Sequence, residues 1–358
     1  MLRNLSYPAI RELKEEQPGL VLLAVALLLT VLYHGTLLFN LQYFRTYDAL
    51  IHTFFGAHYA QSWFDPWEPR WYTGFSLVSY PPLSHFLIAI ASKVVGLKLA
   101  FAPVQLFALL QLAVGVYRFS RLFVSPKAAG FAALALVLSS AIAETVHVFG
   151  QLPTTLSLGF LLNAIPWVWA YIRTGRWGYL LKAAVWIGST TAAHHVTTLF
   201  GSVFFIGPVV AMLILEGLRQ PRPNEPAGTG LSQQVRRRMY RALPRLYRTG
   251  VFGMVAIAAL VLVVLPYWLW SRSDPIAQVP IPHGSRANFL QQPNMGLMFW
   301  LIPWASSLVF LPYAFYKSLS YLWPLGASLG LLLVLGTGGT TPIPKLLLRG
   351  AFDILTLD

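Results

Sequence analysis

GLVLLAVALLLTVLYHGTLLFNL occupies residues 19–41 and holds no Asp, Glu, Lys or Arg. A run of that length and apolarity reaches the roughly 20 residues needed to cross a bilayer as a helix. Further apolar runs recur at about 99–118, 127–145, 152–172, 178–194, 199–217, 250–270, 297–316 and 319–336. Hydrophobic residues make up 56% of the 358-residue chain and charged residues 11%, with a mean hydropathy of +0.60. Backbone groups in lipid must be satisfied within the segment, and no alternating ten-residue pattern suggests a barrel. The expected fold is an all-α polytopic membrane protein of about nine to ten spans, one transmembrane domain over 1–358.

The arginines set the expected topology. The loop 218–249 carries Arg219, Arg222, Arg236, Arg237, Arg238, Arg241, Arg245 and Arg248 against a single acid, Glu225. Basic loops stay in the cytoplasm. The short loops with Arg118, Arg121 and Lys127, and with Arg173, Arg176 and Lys182, share that side only if PPLSHFLIAIASKVVGL (81–97) does not cross. That segment is therefore read as an interfacial or re-entrant helix, and the N-terminus as cytoplasmic. RELKEEQPG (11–19) is charge-balanced and unlike a cleaved signal, so the first span is expected to be retained.

The formal charge of +14 reads as topology and anionic-lipid contact at the basic loop, and no nucleic-acid partner is expected. RRRMYRALPRLYR (236–248) is accordingly an interfacial helix. The chain has no cysteine, which removes disulfides and thiolate metal sites. GTGGTTP (336–342) lacks the Gly-Lys-Ser/Thr ending of a phosphate loop and reads as a turn.

On this topology His34, His52, His58, His85, His147, His194, His195 and His283 all fall at the outer side. So do Asp48, Asp65, Glu68, Glu144 and Asp274. Any reactive site faces outward. In the first outer loop (42–98), RTYDALIHTFFGAHY (45–59) reads as a helix lying in the interface. Tyr47, Ile51, Phe54, Phe55 and His58 form one stripe, and Asp48 and His52 share the neighbouring face. That pair is either the wet face of the helix or an acid beside a metal-ligating or proton-shuttling imidazole.

AETVHVFGQLPTT (143–155) puts Glu144 and His147 one turn apart, a spacing from which both reach one divalent cation. In TTAAHHVTTLF (190–200), His194 and His195 point about 100° apart on a regular helix. One of them is expected to donate to a phosphate while the other packs. SRSDPIAQVPIPHGSRANFLQQPN (271–294) adds Arg272 and Arg286, suited to bidentate phosphate recognition.

The pattern Asp48-x3-His52, then Trp67, Pro69, Arg70, Trp71 and Gly74, then Ser79-Tyr80-Pro81-Pro82-Leu83, resembles the GT-C superfamily. These are membrane glycosyltransferases that take sugars from polyprenyl-phosphate carriers. It looks closest to the bacterial membrane proteins labelled as related to 6-pyruvoyl-tetrahydropterin synthase, although nothing in the chain suggests a pterin enzyme. The resemblance covers residues 19–217 and leaves 250–358 as variable C-terminal spans. It implies a GT-C-like helical bundle in the bacterial cytoplasmic membrane with an extracytoplasmic active side.

By the same resemblance Asp48 and Glu144 are the catalytic acids, and Asp48, Glu144 and His147 hold a divalent metal, Mg or Mn. His52, Tyr80, His194, His195, Arg272 and Arg286 are the expected substrate-binding residues, and a polyprenyl-phosphate sugar is the donor. Glu144 stands where the family more often has Asp, and the histidines stand where some members use Lys. The end at LTLD (355–358) reads as an incomplete chain or a short natural form. The alternative is a GT-C-like structural subunit without catalysis, bound to a membrane protein partner. A transporter fits less well, because no inverted repeat and no mid-span ionisable residue stands out.

Overall fold

A computed structural model describes residues 7–71, 73–78, 80–219, 231–275, 288, 291–304, 307–338 and 341–348. Within them the chain is all-α apart from one hairpin. In it β1 (Trp67–Glu68) pairs antiparallel with β2 (Phe75–Ser76), Trp67 opposite Ser76 and Glu68 opposite Phe75.

Helix α1 (Tyr7–Leu29) runs through a π turn (Thr30–Gly35) into α2 (Thr36–Phe39). The first outer loop carries α3 (Ala49–Tyr59), the hairpin and α4 (Leu83–Val95). Helix α5 (Leu97–Ser120) descends to a turn from which α6 (Pro126–Val137) starts, with Ser125 capping the Ala128 amide and Pro126 at the first helical position. Helix α7 (Ser140–Glu144) leads into a second π turn, Thr145–Phe149. Next come α8 (Leu152–Thr174), α9 (Trp177–Ala193), α10 (His195–Gly201), a π turn (Ser202–Ile206), α11 (Gly207–Arg219) and α12 (Leu231–Ser273). The remaining segments are α13 (Pro293–Gly296), α14 (Ile302–Trp304), α15 (Leu311–Ser318), α16 (Trp323–Leu335) and α17 (Pro342–Leu348).

Among the described residues 6 helical stretches are long and apolar enough to cross a membrane: Glu15–Phe39, Leu97–Ser120, Pro126–Phe149, Leu152–Thr174, His195–Arg219 and Ser232–Ser273. Helix α9, with 17 residues, reaches about 25 Å at 1.5 Å per residue. It must still run between the two ends of the bundle, since it joins Arg173 and Arg176 to His194. The 13 residues of α4 are too few to span, as expected for 81–97. The expected span at 297–316 is instead two helical stretches: Pro293–Trp304, continuous through a π turn at Leu297–Leu301, and α15, with Pro312 in its first turn where the missing amide costs no hydrogen bond. The basic segment also differs from expectation. Arg236 to Arg248 do not form a separate interfacial helix, because α12 continues without interruption for 43 residues into the apolar stretch.

Burying apolar side chains against lipid-like neighbours gives little drive for association, so close backbone approach matters more. Helix α1 meets α6 through glycine: a Cβ at Gly130 would lie 2.8 Å from the Gly19 carbonyl oxygen, and one at Gly19 would lie 2.6 Å from the Pro126 carbonyl carbon. The main core joins α5, α8 and α9, with Leu112, Leu156, Ile165, Ile172 and Ile187 fully buried.

The two ends of the bundle differ in chemistry. At one, Arg121 pairs with Glu16, Arg173 and Arg245 share Glu216, and Arg248 donates to the Ile172 and Arg173 carbonyls. At the other, the loop before α3 meets the π turn after α7. There Ser84 donates to the Ala193 carbonyl, and Asp274 accepts from the Ser76 amide at 2.7 Å. The described histidines gather at this second end.

Candidate functional site: a histidine-rich layer at one end of the bundle

Asp48 stands at the N-terminus of α3, half-buried, in a loop bonded to the turn that carries Glu144 and His147. The Tyr47 amide donates to the Val148 carbonyl at 3.1 Å and the Asp48 amide to the Phe149 carbonyl at 2.9 Å. Gly150 makes this approach feasible. Its φ is +70°, and a Cβ there would press on Thr46 Oγ1 and lie 2.8 Å from the Ala49 nitrogen. Two acid-bearing segments that are about a hundred positions apart in sequence are thereby joined through their backbones.

His147 turns toward His34 rather than standing as a ligand beside Glu144. Both imidazoles sit in π turns, a geometry often found at functional sites. Nδ1 of His34 lies 2.8 Å from Nε2 of His147, and the rings stack 5.1 Å apart. Nε2 of His34 is 2.9 Å from the Val137 carbonyl. A carbonyl only accepts, so in the neutral pair His34 carries its proton on Nε2 and accepts at Nδ1 from His147. That leaves His147 Nδ1 as a buried lone pair with no hydrogen-bond donor. Glu144 is itself 7% exposed. His34 appeared in the sequence only as one of the outer histidines. A π turn leaves no periodicity signal by which the pairing could have been found.

The second cluster lies between α3, α4 and the α9–α10 junction. His52 Nδ1 and His85 Nε2 are 3.1 Å apart, both rings being buried. The Tyr80 ring lies 5.6 Å from that of His52 and 5.7 Å from that of His194. His194 takes an extended conformation that ends α9 and starts α10, and its Nδ1 meets Thr197 Oγ1 at 2.8 Å. His195 packs in α10, largely buried. The reading of a wet face on α3 fails for His52, which is buried, while Asp48 is half-buried. His52 points into the protein while Leu50 and Ile51 are exposed, because α4 covers the face that α3 shares with His52.

Burial holds the His52 imidazole down to about 3, helped by the neighbouring His194, and holds His85 well below the ordinary histidine range. Both are neutral at pH 7 and can offer a donor and an acceptor but no positive charge. For a histidine whose folded pKa is depressed, stability is complete above about 6.5 and is lost as the pH falls toward 3. Each of the two contributes a slope of at most about 1.4 kcal/mol per pH unit in that window. Denaturation in detergent between pH 7 and 4 is expected to show this acid limb. The His52→Gln, His85→Gln double variant should flatten it.

Trp67, Arg70 and Trp71 have a local explanation. Glu68 is fully buried and accepts from the Arg70 backbone amide and Nε, both at 2.7 Å, with His58 Nδ1 at 3.1 Å. Hydrogen bonds and charge from Arg70 hold the Glu68 carboxyl below the usual carboxylate range. The Arg70 guanidinium also lies 4.9 Å from the centre of the Phe54 ring, so it braces the hairpin. Arg272 is exposed in the last turn of α12. Arg286, His283 and Ser79 lie outside the described residues.

Among the described residues no three His, Asp or Glu side chains converge as ligands for one cation. Asp48, Glu144 and His147 do not make up such a group, and His147 already uses its Nε2 on His34. The class defined by this fold is an all-α protein with the helices of an integral membrane protein. No family model, curated protein or solved structure matches the chain.

Proposed function

We propose that this protein is a membrane glycosyltransferase of the GT-C type, moving a sugar from a polyprenyl-phosphate carrier to an acceptor on the extracytoplasmic face of a bacterial cytoplasmic membrane. The observation that carries the reading is the backbone junction of the Asp48 loop with the Glu144 turn, at the end of the bundle opposite the arginines. Positive-inside placement of those arginines puts the acids outside and the N-terminus in the cytoplasm.

In the proposed transfer Asp48 accepts the proton of the acceptor hydroxyl as the new sugar–oxygen bond forms. The bond from the anomeric carbon to the phosphate oxygen breaks, and polyprenyl phosphate leaves with that electron pair. His194, Arg272 and Arg286 are the donors toward the phosphate, with Tyr80 and His52 as further substrate-binding residues beside His194 and Glu144 as the second acid. His195 supports the α9–α10 junction from within α10. No step is assigned to a metal; among the described residues no three His, Asp or Glu side chains are placed to hold one cation.

A second reading is a GT-C-like structural subunit without catalysis. It is favoured by the internal pairing of His34 with His147 and of His52 with His85, which occupies groups a reaction would use. Native mass spectrometry of the gently extracted protein separates the two. Co-purified polyprenyl phosphate, free or sugar-loaded, is the expected result. A stoichiometric protein partner without that lipid would select the subunit.

A further inference from the structure

The cavity at the arginine-rich end lies away from the histidine layer and is independent of the transferase reading. It has a volume of about 460 Å³ and lies between α8, α11 and the turn after α5. Leu122, Trp169, Met212 and Leu215 form its apolar walls, and Tyr321 closes one side, donating to the Phe123 carbonyl at 3.3 Å. Its polar part is formed by Glu216 and Arg219.

The charges around it are unequal. Glu216 is already bridged by Arg173 at 2.9 Å and Arg245 at 3.2 Å. The Arg173 guanidinium also lies 5.7 Å from the centre of the Trp169 ring. Arg219 ends α11, is exposed, and makes no ion pair with a described carboxylate. The cavity therefore joins greasy walls to a rim with more cationic than anionic charge, at the end of the bundle that carries the arginines. A phosphate on a two-chain lipid meets both demands at once: an acyl chain takes the walls and the phosphodiester takes Arg219. A zwitterionic headgroup would bring a further cation to a rim that already has Arg173, Arg219 and Arg245.

We infer that this cavity binds one anionic glycerophospholipid, with its phosphate held by Arg219 and an acyl chain lying against Trp169, Met212 and Leu215.

The test uses the full chain in detergent with equimolar phosphatidylglycerol and phosphatidylcholine, read by native mass spectrometry. One phosphatidylglycerol adduct is expected to survive delipidation, favoured at least tenfold over phosphatidylcholine. Leu215→Trp, which fills the cavity, should lower that adduct at least tenfold at an unchanged melting temperature. Arg219→Gln lies on the exposed rim and spares the packing. It should remove the preference between the two lipids while phosphatidylcholine binding stays the same. Equal retention of both lipids by the unaltered protein overturns the inference, as does a tenfold preference that persists in Arg219→Gln. An adduct retained in a folded Leu215→Trp protein overturns it too. If Leu215→Trp does not fold, the Arg219→Gln result decides.

Discussion

Asp48→Asn is expected to reduce sugar transfer from a polyprenyl-phosphate donor by at least about a thousandfold, within the upper range for removing a general base. The fold should be untouched. The Asp48 backbone amide ties the loop down through its bond to the Phe149 carbonyl, and asparagine keeps both that amide and the size of the side chain. The measurement is a single-turnover assay of product release from sugar-loaded polyprenyl phosphate, run beside a thermal melt. Turnover equal to that of the unaltered protein at an equal melting temperature would remove Asp48 from the chemistry. Loss of turnover together with loss of folding would show that Asp48 acts on the loop instead.

Gly150→Ala should be the most damaging single methyl addition at this end of the molecule. Alanine at a φ of +70° is strained, and its Cβ would lie 2.8 Å from the Ala49 nitrogen, a backbone atom unable to rotate away. Strain plus overpacking of this kind costs about 3 kcal/mol. The cost falls on the junction between the two acid-bearing loops rather than on the whole bundle. Hydrogen exchange is the direct readout: the Tyr47 and Asp48 amides, which donate across the junction, should lose protection first. The α5 and α8 core should stay protected. Unchanged exchange at those two amides would refute the role given to Gly150.

Much of the helical framework was legible because long apolar runs without charge announce themselves. The short α4 followed from weighing arginines on two sides of the membrane. Exposure was far less legible. In a soluble protein a polar face marks solvent, but here lipid and core are equally apolar. The stripe Tyr47, Ile51, Phe54, Phe55 and His58 could not say which side of α3 is covered. The structure buries His52 and Phe55 and leaves Tyr47 and Ile51 exposed.

The continuity of α12 was hidden by composition, since its first half reads as a charged loop and its second as a span. The candidate site was legible at coarse grain, in the described histidines and in Asp48 and Glu144 at one end. The pairings His34–His147 and His52–His85 depend on contacts between distant segments, which no local spacing encodes.

Those pairings have a consequence for how this end of the molecule tolerates insertions and deletions. A π turn holds one residue more than the α-helical register would, and each residue in an α-helix turns the chain by about 100°. Deleting one residue within Thr30–Gly35 or Thr145–Phe149 would let the helix close up into ordinary register. The histidine in that turn would swing away from its partner although every side chain needed for the pair was still encoded. At these two turns the residue count itself is under constraint, so a one-residue deletion should do more harm than most substitutions nearby.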